Sequence, residues 1–149
     1  MSSLRPLLIA AYLVPIIWAN PGMAQEQIAP TENTTLHVGA HTIQAEVANS
    51  EEERQRGLMY RRKLANNSGM LFIFEQKNAY CFWMRNTFMP LSIAFLVDDG
   101  TIINIENMLP QTDTNHCAKA PVRYALEMSQ GWFAKKGVRT GAKISGLPK

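Results

Sequence analysis

The residues best suited to chemistry form a polar group directly beside aromatic ones. Arg85, Asn86 and Thr87 follow a Phe-Trp-Met run. Guanidinium and amide groups supply directional hydrogen bonds and tryptophan a flat apolar surface, a combination that suits a carboxylate or a sugar. The predicted ligand-binding residues are Met59, Trp83, Arg85, Asn86, Thr87, Asn104, Glu106 and Glu127. The alternative places Trp83 in the core. Arg85 would then pair with Glu106 or Glu127.

Glu106 and Glu127 could instead act as a pair of catalytic carboxylates. Glycoside hydrolases separate two such groups by about 5–5.5 Å when configuration is retained and about 6.5–9.5 Å when it is inverted. Sequence gives no distance of this kind, and no nucleophile with an adjacent base is recognisable. A glycan-type hydrolase is therefore an alternative hypothesis, and the sequence predicts no defined catalytic residue.

Cys81 and Cys117 are the two cysteines of the chain. A pair of cysteines in an exported protein is typical of a disulfide, which would stabilise the fold by roughly 3–4 kcal/mol. The alternative is a copper or zinc site, because His116 adjoins Cys117 and Met84 lies near Cys81. Repeated metal-binding spacings are lacking in the sequence, which therefore predicts a disulfide and neither a resident metal nor another cofactor.

A β-hairpin is predicted to position the second half of this group. Residues 91–97 and 101–105 are mostly apolar or β-branched, and Asp99-Gly100 between them suits a two-residue turn. This register places Val97 opposite Ile102, Phe95 opposite Asn104 and Ile93 opposite Glu106. Both faces are then largely apolar, as in a strand covered on both sides. Glu106 is either at a solvated strand end or on the floor of a pocket.

The remaining pattern indicates a mainly β fold. Many short apolar runs are separated by Gly, Pro, Asn and Asp, and Ser50 with Glu53 forms a capping box before a helix at about residues 51–56. A second short helix is predicted at residues 131–136. The predicted architecture is an antiparallel, jelly-roll-like sandwich or barrel with one or two short helices.

The N-terminus is typical of a secretory signal. Arg5 precedes an apolar run at residues 7–18, and Gly22-Met23-Ala24 is a small-x-small cleavage site. The sequence therefore predicts a signal peptide at 1–24, a flexible leader at 25–33 and a single domain at 34–149. The protein is expected to be exported to the periplasm or beyond, with no membrane span in the mature chain.

Charge gives no case for a nucleic-acid partner. The chain has 15 basic and 12 acidic residues, a formal charge of +3 that falls by one when Arg5 is removed. Its basic residues are scattered, which is typical of a solvated surface. The expected partner is a small molecule, a glycan or a periplasmic protein.

Several blocks of the sequence, in order, resemble one family. They are Arg56-Gly57-Leu58-Met59-Tyr60-Arg61, Gly69-Met70-Leu71-Phe72-Ile73-Phe74, Phe82-Trp83-Met84-Arg85-Asn86-Thr87, Pro90-Leu91-Ser92-Ile93-Ala94-Phe95, Asp99-Gly100-Thr101-Ile102 and Ala125-Leu126-Glu127 with Gly131-Trp132. Together they resemble the family catalogued as domain of unknown function 192, over nearly the whole predicted mature chain. The resemblance implies a compact, mainly β domain of jelly-roll-like character that is often exported. It implies no activity.

Two positions depart from the pattern of that family. Ser92 stands where an acidic residue is common, and Ala142 stands where Gly-Asp is usual. These departures weigh against chemistry at either position. We therefore expect an exported binding or accessory module for a small polar ligand, a glycan or a protein partner.

Overall fold

The fold is described from a computed structural model, which covers residues 32–149. The predicted signal peptide and nearly all of the predicted leader lie outside these residues. Within these residues, nine strands and two short helices follow one another: β1 Asn33–Val38, β2 His41–Ala48, α1 Glu51–Arg56, β3 Ser68–Asn78, β4 Cys81–Phe82, β5 Leu91–Leu96, β6 Ile102–Met108, β7 His116–Cys117, β8 Val122–Ser129, α2 Trp132–Lys135 and β9 Ile144–Ser145. The prediction of a mainly β fold with short helices is confirmed.

Seven strands form one curled sheet in the order β6-β5-β8-β3-β2-β1-β9. The sheet curls far enough for its two ends to meet, because Thr101 bridges Lys143 and the Ile102 N–H donates to the Ala142 carbonyl at 2.9 Å. All neighbouring strands are antiparallel, as predicted, except β2 and β3. That parallel pair requires a long crossover, which α1 and the loop after it provide.

The β5–β6 hairpin has the predicted pairing at its open end and a different turn. Phe95 pairs with Asn104 and Ile93 with Glu106, as predicted. The prediction of a two-residue turn is wrong, because the Gly100 N–H donates to the Val97 carbonyl and Gly100 has φ +86°. A turn followed by a left-handed glycine produces a bulge and a longer loop. The bulge shifts the register at the turn by one residue.

The curled sheet is apolar on both faces, so it has two cores. The inner core is enclosed by the curl and includes Leu36, Ile43, Leu71, Ala94, Leu126 and Met128. The outer core lies on the other face and includes Leu58, Met70, Phe72, Met84, Ile93, Phe95 and Ala125. Every residue of β5 is buried, which confirms the prediction of a strand covered on both sides.

Helix α1 covers part of the outer face. Its capping box is present as predicted: Ser50 Oγ accepts from the Glu53 N–H at 3.2 Å, and the Glu53 carboxylate accepts from the Ser50 N–H at 3.0 Å. Gly57 ends the helix with φ +47°. Its Cα faces the ring of Phe72, and an added Cβ would lie 3.2 Å from that ring. The helix end is therefore held against the outer core.

Strands β4 and β7 form a small second sheet on the same face. Cys81 pairs with Cys117 in this sheet, and their sulfurs are bonded, so the predicted disulfide is confirmed. None of the helices within residues 32–149 is long and apolar enough to cross a bilayer.

Candidate ligand-binding site

A cavity of about 210 Å³ lies on the outer face between α1, strands β3 and β8 of the sheet, and β4. Its lining combines aromatic rings, two cationic side chains and one carboxyl group. The lining residues are Arg54, Gln55, Arg56, Gly57, Leu58, Met59, Phe72, Phe74, Tyr80, Cys81, Phe82, Trp83, Thr87 and Glu127. Four of them, Met59, Trp83, Thr87 and Glu127, belong to the predicted ligand-binding set.

Glu127 is the most unusual side chain of the cavity. It lies on β8 between Met70 of β3 and Ile93 of β5, so both of its neighbours across the sheet are apolar. It is only 4% exposed, and within residues 32–149 no side-chain or backbone group pairs with its carboxyl group. Burial raises the pKa of Glu127 to about 8, because the charged form loses its hydration without gaining a partner.

The walls of the cavity are aromatic. Phe82 packs edge-to-face on Phe72, with ring centroids 4.9 Å apart, and Phe74 stacks on Tyr80 at 3.5 Å. The disulfide that joins β4 to β7 holds this wall in place, because Cys81 adjoins both Tyr80 and Phe82. Trp83 at the same wall is 50% exposed and offers one side to solvent.

Two arginines lie at the edge of the cavity that α1 forms. Arg54 donates to the Ile73 carbonyl at 3.0 Å, and its guanidinium lies 5.7 Å from the centroid of the Phe74 ring. Arg56 lines the same edge. Among residues 32–149 neither arginine has a carboxylate within ion-pair distance. Arg54 also donates to the Asn49 carbonyl, so its contacts within the described residues are to neutral groups. Neither positive charge is neutralised by a carboxylate, and an anionic ligand group could pair with them.

The alternative interpretation of Trp83 and Arg85 is wrong. Trp83 is half exposed, so it is not a core residue. Arg85 pairs with Asp113 at 2.9 Å and stacks over Trp83, with 5.2 Å from its Cζ to the ring. Neither Arg85 nor the exposed Asn86 lines the cavity. Of the polar group predicted from sequence, only the buried Thr87 lines the cavity.

Asn104 and Glu106 belong to a separate cluster. The Asn104 amide donates to the Cys117 carbonyl at 3.1 Å, and its carbonyl oxygen accepts from the Lys119 N–H at 3.1 Å. Glu106 contacts His116 Nδ1 at 2.9 Å. These contacts attach the β7 segment to β6, so the structural role of Asn104 is evident.

Replacing Asn104 with alanine is expected to lower the free energy of unfolding by about 1–3 kcal/mol, because the Lys119 N–H and the Cys117 carbonyl lose their partner. Urea unfolding of Asn104→Ala would measure this. Ligand affinity at the cavity should change much less. Loss of ligand binding without loss of stability would show that Asn104 belongs to the binding site instead.

The two candidate catalytic carboxylates, Glu106 and Glu127, do not line the same cavity. Glu106 and Glu127 both pair with Ile93, from opposite sides, so they lie two strands apart on one face. Such a spacing is about 10 Å between backbones. Glu127 lines the cavity, whereas Glu106 faces His116.

The sulfur atoms of the alternative metal site are bonded to each other. In this form Cys81 and Cys117 offer no thiolate. In the part of the chain that the structure describes, no three His, Cys, Asp or Glu side chains are grouped to hold a metal ion.

Sequence reasoning missed most of the cavity wall. The missed residues include the two arginines and four aromatic residues, Arg54, Arg56, Phe72, Phe74, Tyr80 and Phe82. A helix predicted at residues 51–56 directs its side chains at i and i+3 or i+4 to one face, but which sheet face it covers depends on the crossover between β2 and β3. The aromatic residues alternate along β3, which was a usable signal for a shared face.

The family model DUF192, described as Uncharacterized ACR, matches residues 33–146. No curated protein is significantly similar to the chain. Two crystal structures are similar over most of the chain. A protein from Sinorhizobium meliloti 1021, provisionally described as a transcription regulator, is 34% identical with a TM-score of 0.75, covering 78% of this chain and 95% of its own. A protein of unknown function from Novosphingobium aromaticivorans DSM 12444 is 31% identical with a TM-score of 0.76, covering 80% of this chain and 89% of its own.

Proposed function

The chain belongs to the uncharacterized family DUF192, and we propose that it is an exported binding module that holds a small polar ligand in the cavity at Glu127. Export is supported by the signal-like segment at residues 1–24 and by the disulfide, since disulfides persist in oxidising compartments. The proposal concerns binding alone.

The unpaired carboxyl group of Glu127 is the observation that carries this proposal. A buried carboxyl group without a hydrogen-bond partner destabilises the fold that contains it. The sheet places this group where its neighbours on β3 and β5 are apolar, so an apolar side chain would pack there at least as well. A ligand in the cavity would supply the partner that the protein lacks.

The shape of the site favours a small molecule among the expected partners. The carboxyl group lies at the floor, is almost completely buried, and has aromatic walls around the space above it. A flat protein partner would not reach such a group. Ligand pockets generally combine apolar walls with a few placed polar groups, as this one does.

Thermal unfolding in the presence of candidate ligands tests the proposal. Protein expressed from the full chain would be screened near neutral pH against amino acids, amines, organic acids and monosaccharides. A ligand at about 100 times its Kd stabilises the native state by about 2.7 kcal/mol, which is on the order of 10 °C for a domain of this size. We expect at least one compound to give such a shift.

Two matched variants locate the binding. Glu127→Gln removes the carboxyl group from the cavity floor and should abolish the shift, measured relative to the unfolding temperature of the variant itself. Glu75→Gln makes the same chemical change at an exposed position outside the cavity lining and should leave the shift unchanged. Equal shifts in wild type and Glu127→Gln would contradict the proposal.

A further inference from the structure

We infer that the ligand is a small zwitterion, whose positively charged nitrogen pairs with Glu127 and whose anionic group is held by Arg54 and Arg56. This inference rests on the proposed function and specifies its ligand class. It follows from three features of the cavity: an unpaired acid at the floor, aromatic walls, and two arginines at the edge that have no carboxylate partner among residues 32–149.

The first feature is the carboxyl group of Glu127, which has no cationic partner among residues 32–149. The charged and titratable groups on the surrounding elements are Glu53, Arg54 and Arg56 on α1, Tyr80 and the disulfide-bonded Cys81 at β4, Arg123 on β8, and the Glu106–His116 pair on β6 and β7. None of them lowers the pKa of Glu127, which burial alone shifts. Within residues 32–149 no cationic side chain forms an ion pair with this carboxyl group, so the position beside it is open to a cation from a ligand.

The second feature is the aromatic wall. Phe72 and Phe82 line the space next to Glu127, and Trp83 lines its solvent side. Phe74 supports this wall, but Tyr80 and Arg54 already contact its ring. Aromatic faces attract ammonium groups through their negative quadrupole, an effect worth about 0.5–2 kcal/mol for each favourable contact. An anionic group would gain nothing from these faces. The inner part of the cavity therefore suits a cation.

The third feature is the pair of arginines. Arg54 and Arg56 line the α1 edge without a carboxylate partner among residues 32–149. Guanidinium groups bind carboxylates and phosphates through two parallel hydrogen bonds. The two ends of the cavity thus have opposite electrostatic requirements, which one molecule with a positive and a negative group can satisfy.

The volume limits the size of this molecule. A cavity of about 210 Å³ lies below the range of about 300–1,000 Å³ that drug-sized ligands occupy. A free amino acid or a compound of similar size fits this limit. Its apolar body would contact the aromatic walls.

Binding of such a ligand must release a proton from Glu127. The free protein holds this carboxyl group in its neutral form near neutral pH, whereas an ammonium group pairs with the ionised form. Below pH 8 each unit of increase in pH raises the ionised fraction tenfold, so the affinity for a cation should rise about tenfold per unit. A ligand that only accepts a hydrogen bond from the neutral acid would show no such rise.

Titration calorimetry with three matched probes tests the inference. L-phenylalanine carries both charges, phenethylamine lacks the carboxylate, and 3-phenylpropanoate lacks the ammonium group. We expect L-phenylalanine to bind most tightly, with an affinity that increases about 100-fold between pH 5.5 and pH 7.5. Two buffers of different ionisation enthalpy should report release of about one proton per ligand.

Variants show which side chain binds the ammonium group of the probe and which binds its carboxylate. Glu127→Gln should abolish binding of phenethylamine and remove the dependence of L-phenylalanine binding on pH. Arg56→Gln should weaken L-phenylalanine at least about fivefold, as expected for loss of a charged hydrogen bond, while phenethylamine is unaffected. Arg139→Gln, an exposed arginine outside the cavity lining, should change neither affinity.

Two outcomes would overturn the inference in distinguishable ways. Glu127-dependent binding of 3-phenylpropanoate or of a neutral compound, with affinity constant or falling from pH 5.5 to pH 7.5, would refute the zwitterion and leave the proposed function standing. Binding of no compound in the panel, with Glu127→Gln indistinguishable from wild type, would refute both.

Discussion

Glu127→Gln is expected to stabilise the protein in alkaline solution. At pH 9 its free energy of unfolding should exceed that of the wild type by several kcal/mol, whereas at pH 5 the two should differ by about 1 kcal/mol or less. The amide has the shape of the neutral acid and stays neutral at every pH. The charged form of Glu127 therefore has no counterpart in the variant.

The direction of this stability change follows from the pKa of Glu127 in the folded and unfolded states. Burial raises the pKa of this carboxyl group to about 8 in the folded protein, compared with 4.5 as its ordinary value. The folded state keeps its proton between these values while the unfolded state releases its own, so stability falls as pH rises from 4.5 to 8. The expected loss between pH 5 and pH 9 is on the order of 4 kcal/mol.

Urea unfolding at a series of pH values measures this effect. Hydrogen bonds lower the pKa of two other carboxyl groups, Glu53 through Ser50 and Asp99 through Thr101. These groups change the free energy of unfolding only below about pH 4.5, so they do not contribute to its pH dependence between pH 5 and pH 9. Glu75→Gln should show the same pH dependence as the wild type. Parallel curves for wild type and Glu127→Gln would mean that Glu127 has an ordinary pKa.

Removal of the disulfide is expected to have the second large effect. Cys81 and Cys117 are 36 positions apart in sequence, and the chain-entropy model assigns roughly 3–4 kcal/mol to closure of a loop of this length. The double variant Cys81→Ser, Cys117→Ser should therefore unfold roughly 15 °C below the wild type. Reductant should lower the unfolding temperature of the wild type by a similar amount.

The same change should weaken ligand binding, because β4 forms the aromatic wall of the cavity and is paired only with β7 within its sheet. Differential scanning calorimetry and ligand titration of the double variant measure the two effects. Reductant should not affect the double variant, which serves as the control. An unchanged unfolding temperature would show that the bond between Cys81 and Cys117 contributes no stability.

Local patterns predicted much of the fold. The capping box at Ser50 and Glu53, the pairing of Phe95 with Asn104, and the disulfide depend on neighbours in sequence or on chemistry that two residue types determine. The predicted length of the hairpin turn was wrong because Asp98-Asp99-Gly100 permits either two or three loop residues. In the three-residue loop Gly100 packs against the Ile144 carbonyl, a contact with a distant part of the chain that the local pattern does not reveal.

The site was only partly predictable, for a physical reason. Glu106 and Glu127 look equivalent in sequence, since each carboxylate interrupts an apolar strand. Their environments differ because His116 of β7 pairs with Glu106, whereas β8 is an interior strand and Glu127 is flanked by β3 and β5. Strand order and crossovers determine this difference, and one sequence does not reveal them.

The position of Glu127 connects stability with function. A residue that destabilises the fold above pH 4.5 and has no partner in the described chain is typical of a binding or active site, where stability is often reduced in favour of function. Loss of ligand binding and gain of alkaline stability should therefore occur together in Glu127→Gln.

Observation of the Glu127 carboxyl carbon by ¹³C NMR, as a function of pH with and without L-phenylalanine, would show whether this buried group is neutral near pH 7 and whether the ligand ionises it. We expect an inflection near pH 8 in the free protein, absent in Glu127→Gln, and a shift of the inflection to lower pH when the probe is bound. An inflection near 4.5 in the free protein, unchanged by the probe, would contradict both expectations.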